Sequence, residues 1–262
     1  TNENIINYFN TNNKMITILP GFISKSETGE ITTLGRGGSD YTAAIIAAAL
    51  NAEVLEIWTD VSGMYTTNPK LVKQARPIAE LSYLEAIELS HFGAKVLYPP
   101  TVLPVLTKNI PIKIKNTLAP DDPGTSITNK VKNCKNNPIK GISNVNDITL
   151  LTLQGNGMVG IPGFSKRLFE TLANEKINII ITTQASSEHS ICVGVTDRDA
   201  QNAKQAIDKE FENEISLLKI DPIVLESKLS IVAVIGDRMK NHQGISGKMF
   251  STLGKNNVNI RA

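Results

Sequence analysis

The chain has 262 residues, with 27 basic and 25 acidic side chains and a net charge of +2. This balance offers no basic surface for nucleic acid or for a membrane, and no stretch reaches the roughly 18 apolar residues of a membrane span. Two cysteines and three histidines are scattered without metal-ligand spacing, so we expect no metal site and a reduced, cytoplasmic location. The length accommodates one large domain or two smaller ones.

A glycine-rich loop followed by an apolar helix is the most informative local feature. It reads TLGRGGSDYTAA over residues 33–44, after an apolar run at Met15–Phe22 and a turn at Glu27–Glu30. Its glycines permit positive φ and close approach to a ligand, and Ser39 is predicted to cap the helix whose apolar part is Tyr41–Leu50. Free N–H groups at this helix start suit a phosphate or a carboxylate, although a GGS triplet is as often a plain flexible turn.

Alternating strands and helices follow this loop. Val54–Thr59 is prone to form a strand, and it ends in Asp60, where an α/β sheet presents its ligand-binding groups. Ser82 and Glu85 have the spacing of a capping box at a helix start, and Ile110–Lys115 alternates as a strand does. We therefore predict an α/β layered domain over about the first 118 residues.

A second domain is predicted beyond Leu118–Pro138, a segment rich in proline and polar residues, because the sequence after it repeats with an offset of 81. Each copy is predicted to form a strand, a glycine-containing loop, a helix and a second strand. In the first copy the helix has Phe164, Leu168 and Leu172 on one face, and the second strand is Ile177–Thr182. The matching pairs are Gly155 with Gly236, Gly163 with Gly244, Ser165 with Ser246, Phe169 with Phe250, Thr171 with Thr252, Leu172 with Leu253, Asn178 with Asn259 and Ile179 with Ile260. The shared glycines and asparagine fit turn geometry as well as ligand binding.

Together these motifs resemble the aspartate kinases of the amino acid kinase superfamily, which carry regulatory ACT domains. TLGRGGSDYTAA is followed, in the order of that family, by WTDVSGMYTTNPK at 58–70, FGAKVLYPP at 92–100 and IPIKIKNT at 110–117. QASSEHSIC at 184–192 is more similar to the bifunctional, threonine-sensitive aspartokinase/homoserine dehydrogenases than to the lysine-sensitive enzymes. The resemblance extends over the whole chain.

The resemblance implies an α/β fold in three parts. Residues 1–128 correspond to the carboxyl-terminal part of a three-layer αβα kinase domain, 129–228 to a linker and a first α+β ACT unit, and 229–262 to the start of a second ACT unit. That second unit is expected to be incomplete here, since the chain ends where its second strand is due. Because family members pair ACT domains across subunits, we expect a homo-oligomer, with no nucleic acid or membrane partner.

The implied reaction is transfer of the γ-phosphoryl group of ATP, bound with Mg²⁺, to the side-chain carboxylate of L-aspartate, the first step in threonine, lysine and methionine biosynthesis. An aspartate side chain, with a pKa of about 3.9, is already ionised, so no general base is needed. Arg36 matches the residue that binds the substrate carboxylate, although a surface ion pair is the alternative. Gly37, Gly38 and Ser39 would complete this site. Asp40 matches a functional aspartate that organises cations or the substrate ammonium group, where otherwise it would be a helix-dipole partner.

A nucleotide site is implied by the other motifs. Its residues would be Thr59, Asp60, Tyr65, Lys70, Lys95 and Val96. Lys95 would reach the nucleotide phosphates and, with Asp40, would be catalytic, while Tyr65 would lie along the adenine or ribose. Lys70 stands where many relatives have arginine, and Tyr98 replaces an expected histidine, which puts any imidazole role in doubt.

A regulatory amino acid is expected to bind the first ACT unit. The candidate residues are Met158, Gly160, Asn178 and Gln184, and the expected effector is threonine, with lysine as the alternative. Gln184 has both a donor and an acceptor for such a ligand, although an exposed strand glutamine is equally common.

Several expectations concern what the chain lacks. No Lys-Phe-Gly-Gly-type segment precedes residue 1, so we expect this piece alone to have little kinase activity. GRGGSD departs from the G-x-G-x-x-G fingerprint, so no NAD(P) site is expected here, and a homoserine dehydrogenase part would lie beyond residue 262. The alternatives are an amino-acid sensor on a degenerate kinase scaffold, or another amino acid kinase acting on glutamate or a nucleotide. The latter would not be expected to carry paired ACT repeats.

Overall fold

A computed structural model describes residues 1–12, 14–91, 96–129, 131, 138–184 and 189–261. It divides into two compact units, one formed by Thr1–Ser143 with Val232–Gly247 and the other by Asn144–Ile231 with the residues from Lys248 on. Within the described residues, no helix has both the length and the apolar character needed to cross a membrane.

The first unit combines four helices with two small sheets, counted over its described residues. The helices are α1 (Asn2–Thr11), α2 (Gly38–Leu50), α3 (Tyr83–His91) and α4 (Val102–Leu106), and the strands are β1 (Ile23–Lys25), β2 (Ile31–Thr33), β3 (Leu55–Thr59), β4 (Glu80–Leu81), β5 (Ile112–Asn116) and β6 (Thr125–Ile127). Strands β1 and β2 form an antiparallel hairpin around the predicted turn. The other four strands form one sheet in the order β3-β5-β6-β4, in which β3 and β5 are parallel.

Alternation along β3 and β5 builds the core of this unit. Leu55 and Ile57 pair in register with Ile112 and Ile114, and all four are buried on the same face. The alanine-rich helix α2 packs its small side chains into the same core. The two strands predicted at 54–59 and 110–115 are therefore confirmed to within two residues, because a half-buried strand needs period-two alternation.

A capping box begins helix α3, as predicted. The backbone N–H of Ser82 donates to Oε2 of Glu85 at 2.9 Å, and the N–H of Glu85 donates to Oγ of Ser82 at 3.0 Å. Two N–H groups that the helix cannot satisfy internally thereby gain partners.

The second unit contains most of a sheet with the strand order β10-β7-β9-β8, whose β7 begins and whose β10 ends in residues assigned to the first unit; the first turn of the last helix also belongs to the first unit. Its strands are β7 (Gly141–Gln154), β8 (Ile181–Gln184), β9 (Ser190–Thr196) and β10 (Val224–Ile235), and its helices are α5 (Phe164–Asn174), α6 (Ala200–Glu210), α7 (Glu212–Ser216) and α8 (Ile245–Lys255). The predicted apolar face of α5 is confirmed, since Phe164, Leu168 and Leu172 are its buried residues. This mixture of strands and helices confirms the predicted fold class.

The internal repeat is also a repeat of backbone geometry. Helix α8 begins and ends 81 residues after α5, and β10 ends 81 residues after β7. Left-handed residues recur with the same offset: Gly163 (φ +106°) with Gly244 (φ +82°), and Lys176 (φ +58°) with Asn257 (φ +56°). The two copies therefore share one local fold.

The second strand of the first copy starts later than predicted. Strand β8 begins at Ile181, whereas the sequence indicated Ile177. The N–H of Lys176 bonds Ala173 and that of Ile177 bonds Leu172, both at 2.9 Å, which is the pattern of a helix end with a left-handed residue. Residue 177 thus still terminates the helix and cannot pair in the sheet.

Candidate functional site

The glycine loop presents free N–H groups at the start of α2. Gly37 is the N-cap residue with φ +73°, so the predicted cap, Ser39, lies inside the first turn and makes no capping bond. The reason is the left-handed backbone at Gly37, which closes the loop two residues before Ser39, the first residue after it that has a side chain. The N–H of Gly38 donates to the carbonyl of Gly35 at 3.1 Å, whereas no described residue accepts from the N–H groups of Ser39 or Asp40. Two donors therefore point out of the helix start.

Two hydrogen bonds join the glycine loop, through Phe22, to helix α2. The N–H of Leu34 donates to the carbonyl of Phe22 at 2.9 Å, and the N–H of Phe22 donates to Oγ1 of Thr42 in α2 at 3.2 Å. A Cβ built on the buried Gly38 would lie 2.8 Å from Cβ of Leu34, so this position leaves no room for a side chain. The loop is thus packed on one side and open on the other.

Arg36 and Asp40 are the charged groups of this loop. The Arg36 side chain is exposed, and Asp40 is half-buried. Burial raises the pKa of the Asp40 carboxyl above its ordinary value, and no cation among the described residues pairs with it. A half-buried carboxylate without a cation is an environment that favours a positively charged ligand group.

The predicted nucleotide loop begins at the carboxyl end of β3. Thr59 is the last strand residue, its carbonyl accepts from the N–H of Thr117 at 2.8 Å, and its hydroxyl donates to Asp60 at 3.2 Å. The short turn after α2 reverses the chain, so β3 returns toward the level at which α2 begins. The glycine loop and the 59–65 loop therefore open at the same edge of this unit.

The remaining predicted nucleotide residues are placed as follows. Tyr65 is half-buried and forms an antiparallel bridge with Pro77, while Lys70 is exposed next to Asn68. Val96 is half-buried against the apolar core. Lys95 lies outside the described residues.

A polar cluster that joins the 59–65 loop to the residues around the end of β5 was not predicted from the sequence. Ser62 donates to the carboxylate of Asp122 and accepts from Nδ2 of Asn116 at 2.9 Å. Nζ of Lys115 donates to the carbonyl of Asp122 at 2.7 Å and lies 5.6 Å from the ring centroid of Trp58. The motif IPIKIKNT could have indicated this cluster. It contains β5, and the end of β5 lies beside the end of β3 if these two strands are parallel neighbours.

No cluster of three potential metal-ligating side chains, taken from His, Cys, Asp and Glu, occurs in the described ranges.

Two of the effector candidates, Gly160 and Gln184, lie at one edge of the second unit. Gln154 at the end of β7 pairs with Ser190, and Gln184 at the end of β8 pairs with Ile191, so both strands end beside the start of β9. The turn that follows β7 contains Gly160, which is exposed, and Gln184 is exposed as well. The structure thus brings these two positions to the same end of the sheet.

The other two effector candidates are placed differently. Met158 is buried in the apolar core and only 3% exposed, so its side chain is not offered to a ligand. Asn178 is exposed and precedes β8, which puts it at the opposite end of that strand from Gln184. Within one chain the structure does not bring Asn178 together with the others.

Two family profiles match the chain. Residues 1–116 match the amino acid kinase family, and residues 151–211 and 232–262 match the ACT domain. The matches define the class of this protein, which joins an amino acid kinase segment to ACT domain sequence.

Within that class the relatives are aspartate kinases, which confirms the resemblance seen in the motifs. The chain is 44% identical over 247 residues to the bifunctional aspartokinase/homoserine dehydrogenase of Haemophilus influenzae, covering 94% of this chain and 30% of that relative. Its fold is similar to that of the Clostridium acetobutylicum aspartate kinase (TM-score 0.83, 32% identity, 100% of this chain and 59% of that one). It is also similar to Escherichia coli aspartokinase III in complex with aspartate and ADP, with a TM-score of 0.74 and 34% identity over 92% of this chain and 53% of that one. The same enzyme in complex with lysine and aspartate has a TM-score of 0.69 and 36% identity over 92% of this chain and 52% of that one. The chain spans about three tenths of the length of the bifunctional relatives.

Proposed function

We propose that the protein carrying this sequence is an aspartate kinase, which transfers the γ-phosphoryl group of ATP to the side-chain carboxylate of L-aspartate. This proposal rests on the common edge that the lengths and order of α2 and β3 indicate for the glycine loop and the 59–65 loop. The glycine loop offers free N–H donors beside Arg36, and the 59–65 loop follows the parallel strand β3. An anionic acceptor and a nucleotide can therefore be held side by side.

In the proposed reaction a carboxylate oxygen of aspartate forms a bond to the γ-phosphorus while the bond from that phosphorus to the β,γ-bridging oxygen breaks, and ADP leaves. The protein has no proton to remove, so its contribution is alignment and positive charge. Arg36 binds a substrate carboxylate through its planar fork, and the N–H groups of Ser39 and Asp40 donate to the same anion. The Asp40 carboxylate holds the substrate ammonium group, which fits its half-buried position without a cation.

The nucleotide part of the proposal rests on Thr59, Asp60, Tyr65 and the lysines at 70 and 95. ATP is expected to enter with Mg²⁺, which bridges the phosphate oxygens and neutralises their charge in phosphoryl transfer. The cluster of Ser62, Asn116 and Asp122 supports this function indirectly, since it stabilises the loop that would face the nucleotide.

Regulation by an amino acid is the second part of the proposal. The structure of Escherichia coli aspartokinase III has been solved with lysine in its T-state. In the first copy of the repeat here, Gln184 is exposed beside the turn that contains Gly160. We place threonine at this edge, with lysine as the alternative, and expect a homo-oligomer in the cytoplasm. The ligand would inhibit by favouring an arrangement with lower activity, since only a difference in affinity shifts an equilibrium.

The test is aspartate-dependent ADP release by the natural protein, compared with the variants Arg36→Ala and Arg76→Ala. Loss of a charge-assisted, bidentate contact is expected to raise the KM for aspartate roughly 10- to 100-fold in Arg36→Ala. The Arg76 side chain is exposed, and the hydrogen bonds that join this residue to Thr66 use its backbone N–H and carbonyl, which alanine retains. Arg76→Ala therefore serves as the matched control and is expected to behave as the parent. Absence of aspartate-dependent ADP release in the unchanged protein would refute the proposed function.

A further inference from the structure

The ring of Tyr98 lies directly against the glycine loop. A Cβ built on Gly37 would lie 2.5 Å from both Cβ and Cγ of Tyr98 and 3.0 Å from its Cδ1. Non-bonded carbon atoms essentially never approach to 2.5 Å, so the tyrosine occupies the space that a side chain at position 37 would need. Tyr98 therefore covers one face of the residue that sets the backbone of the substrate loop.

The backbone of Tyr98 is itself held firmly. The residue is extended (φ −77°, ψ 117°), as a residue before proline must be, and its carbonyl accepts from the N–H of Thr101 at 2.9 Å. Its neighbours Leu97 and Val102 are buried in the apolar core. The ring thus projects from a rigid turn and can act as a fixed support for the loop.

Gly37 needs such a support. Its left-handed conformation is one of several open to glycine, and glycine loses more conformational freedom on ordering than any other residue. Arg36 precedes it and the free N–H of Ser39 follows two residues later, so the dihedral angles of Gly37 decide how these groups are directed relative to each other. A ring in contact with Gly37 restricts those angles before a ligand arrives.

We propose that Tyr98 is a positioning residue for the substrate carboxylate: its ring holds Gly37 in the left-handed conformation that directs Arg36 and the helix N–H groups to one anion. This inference rests on the proposed function, and it assigns the role to the aromatic ring and not to the phenolic hydroxyl. Tyr98 touches the loop and not the substrate, so it acts on aspartate through Gly37.

The first test compares the variants Tyr98→Ala, Tyr98→Phe and Leu103→Ala in the natural protein, by measuring kcat and both KM values. Tyr98→Ala is expected to raise the KM for aspartate about tenfold, because the loop must then be ordered by the substrate. The KM for ATP is expected to change less than twofold, although Tyr98 follows Lys95 by three residues. Tyr98→Phe is expected to retain parental values, and Leu103→Ala, an exposed site on the next helix, is the control.

A second test uses suppression. Gly37→Ala is expected to abolish measurable aspartate saturation, since its Cβ meets the Tyr98 ring in addition to the strain of a positive φ. Adding Tyr98→Gly removes both the Cβ and the ring that the new side chain meets, so the double variant is expected to be saturable by aspartate again. This measurement keeps the inference testable if Tyr98→Ala alone is poorly folded, because rescue is read against the Gly37→Ala variant.

The possible outcomes separate the two proposals. Failure of the unchanged protein to phosphorylate aspartate refutes the proposed function and this inference with it. Activity in the unchanged protein, with equal rises in both KM values for Tyr98→Ala, refutes the inference alone, because it indicates general damage to the segment. Loss of activity in Tyr98→Phe also overturns it, since the hydroxyl would then be the group that matters.

Discussion

The carboxylate of Glu85 is hydrogen-bonded to the backbone N–H of Asp237, at 3.1 Å and across 152 residues of sequence. The other oxygen of the same carboxylate accepts from the N–H of Ser82, and the Ser82 hydroxyl donates to the Asp237 carboxylate. Asp237 opens the turn after β10, which corresponds through the 81-residue offset to the turn at Asn156 in the first copy. One buried glutamate therefore begins helix α3 and also fixes the corresponding turn of the second copy.

Replacement of this glutamate should cost stability. In Glu85→Ala two N–H groups lose a charged acceptor, and we expect the free energy of unfolding to fall by about 2 kcal/mol. Urea denaturation followed by circular dichroism measures this change. Glu88→Ala, an exposed site on the same helix, is the control and should stay within about 0.5 kcal/mol of the parent. Equal stability of both variants would contradict the role of Glu85.

Gly63 should tolerate alanine less well than Gly29 does. Both residues have positive φ (+110° and +92°), so both substitutions are strained. A Cβ on Gly63 would lie 2.4 Å from Oγ1 of Thr125, which accepts from the N–H of Met64 at 2.8 Å, whereas Gly29 has only the end of a lysine side chain nearby. We expect Gly29→Ala to cost about 1 kcal/mol and Gly63→Ala clearly more. Thermal unfolding of the two variants measures the difference, and equal costs would contradict the clash.

Asp40→Asn should stabilise the ligand-free protein at neutral pH while weakening its activity. Burial raises the pKa of the Asp40 carboxyl in the folded state, so the folded protein binds its proton more tightly than the unfolded chain does. Such a group lowers stability at pH values above its folded pKa, and the cost disappears as the pH falls below the ordinary value of 3.8. We therefore expect a higher Tm for Asp40→Asn at pH 7, and a difference that shrinks in acid.

The exposed Asp121→Asn is the control for this pH experiment, and its Tm should follow the parent throughout. A Tm for Asp40→Asn below that of the parent at pH 7 would mean that Asp40 has a stabilising partner in the folded protein.

Arg167 should contribute to the stability of the second unit in a pH-dependent way. Its Nε donates to Glu210 at 2.8 Å, its Nη1 donates to Glu214, and its guanidinium lies 4.4 Å from the ring centroid of Phe211. The hydrogen bond from Arg167 is the main cause that lowers the pKa of Glu214 below 4.5, so its stabilisation is present above that value and is lost as the pH falls through the folded pKa.

We expect Arg167→Met to lower the free energy of unfolding at pH 7 by about 1 kcal/mol, a value reduced for the partial exposure of these side chains. The deficit should become smaller as the pH falls through the lowered pKa of Glu214, because below it this carboxyl is protonated in both folded and unfolded chains. Lys166→Met, which removes an exposed pair with Glu170 at 3.9 Å, is the control and should have almost no effect. A deficit that does not change with pH would assign the effect of Arg167 to packing alone.

Gln184→Ala should weaken inhibition by threonine. Loss of one or two hydrogen bonds to the ligand is expected to raise the inhibitory threonine concentration about tenfold without changing the KM for aspartate. Thr183→Ser, on the opposite face of β8, is the control. An unchanged inhibition curve would remove Gln184 from the effector site, and a shift in lysine inhibition alone would identify lysine as the effector.

Much of this protein followed from local sequence. The alternation in β3 and β5, the capping box at Ser82 and the 81-residue repeat depend on side-chain period and short spacing, which each segment carries by itself. The glycine loop was likewise visible, because glycines before an apolar helix admit few other structures. The limits of local reasoning appeared at Ser39 and Ile177, where the left-handed residues that close a loop or end a helix shifted the element boundary by two and by four residues.

Tertiary structure decided which distant residues meet. The contact of Tyr98 with Gly37, the bond from Asp237 to Glu85 and the cluster of Ser62 with Asp122 join segments that lie from 60 to more than 150 residues apart. No periodicity or motif encodes such pairs, because they depend on how strands order in a sheet and how helices pack on it. The sequence by itself thus determined the elements, the repeat and the chemistry of the loops, and the packing of the chain determined which groups hold those loops in place.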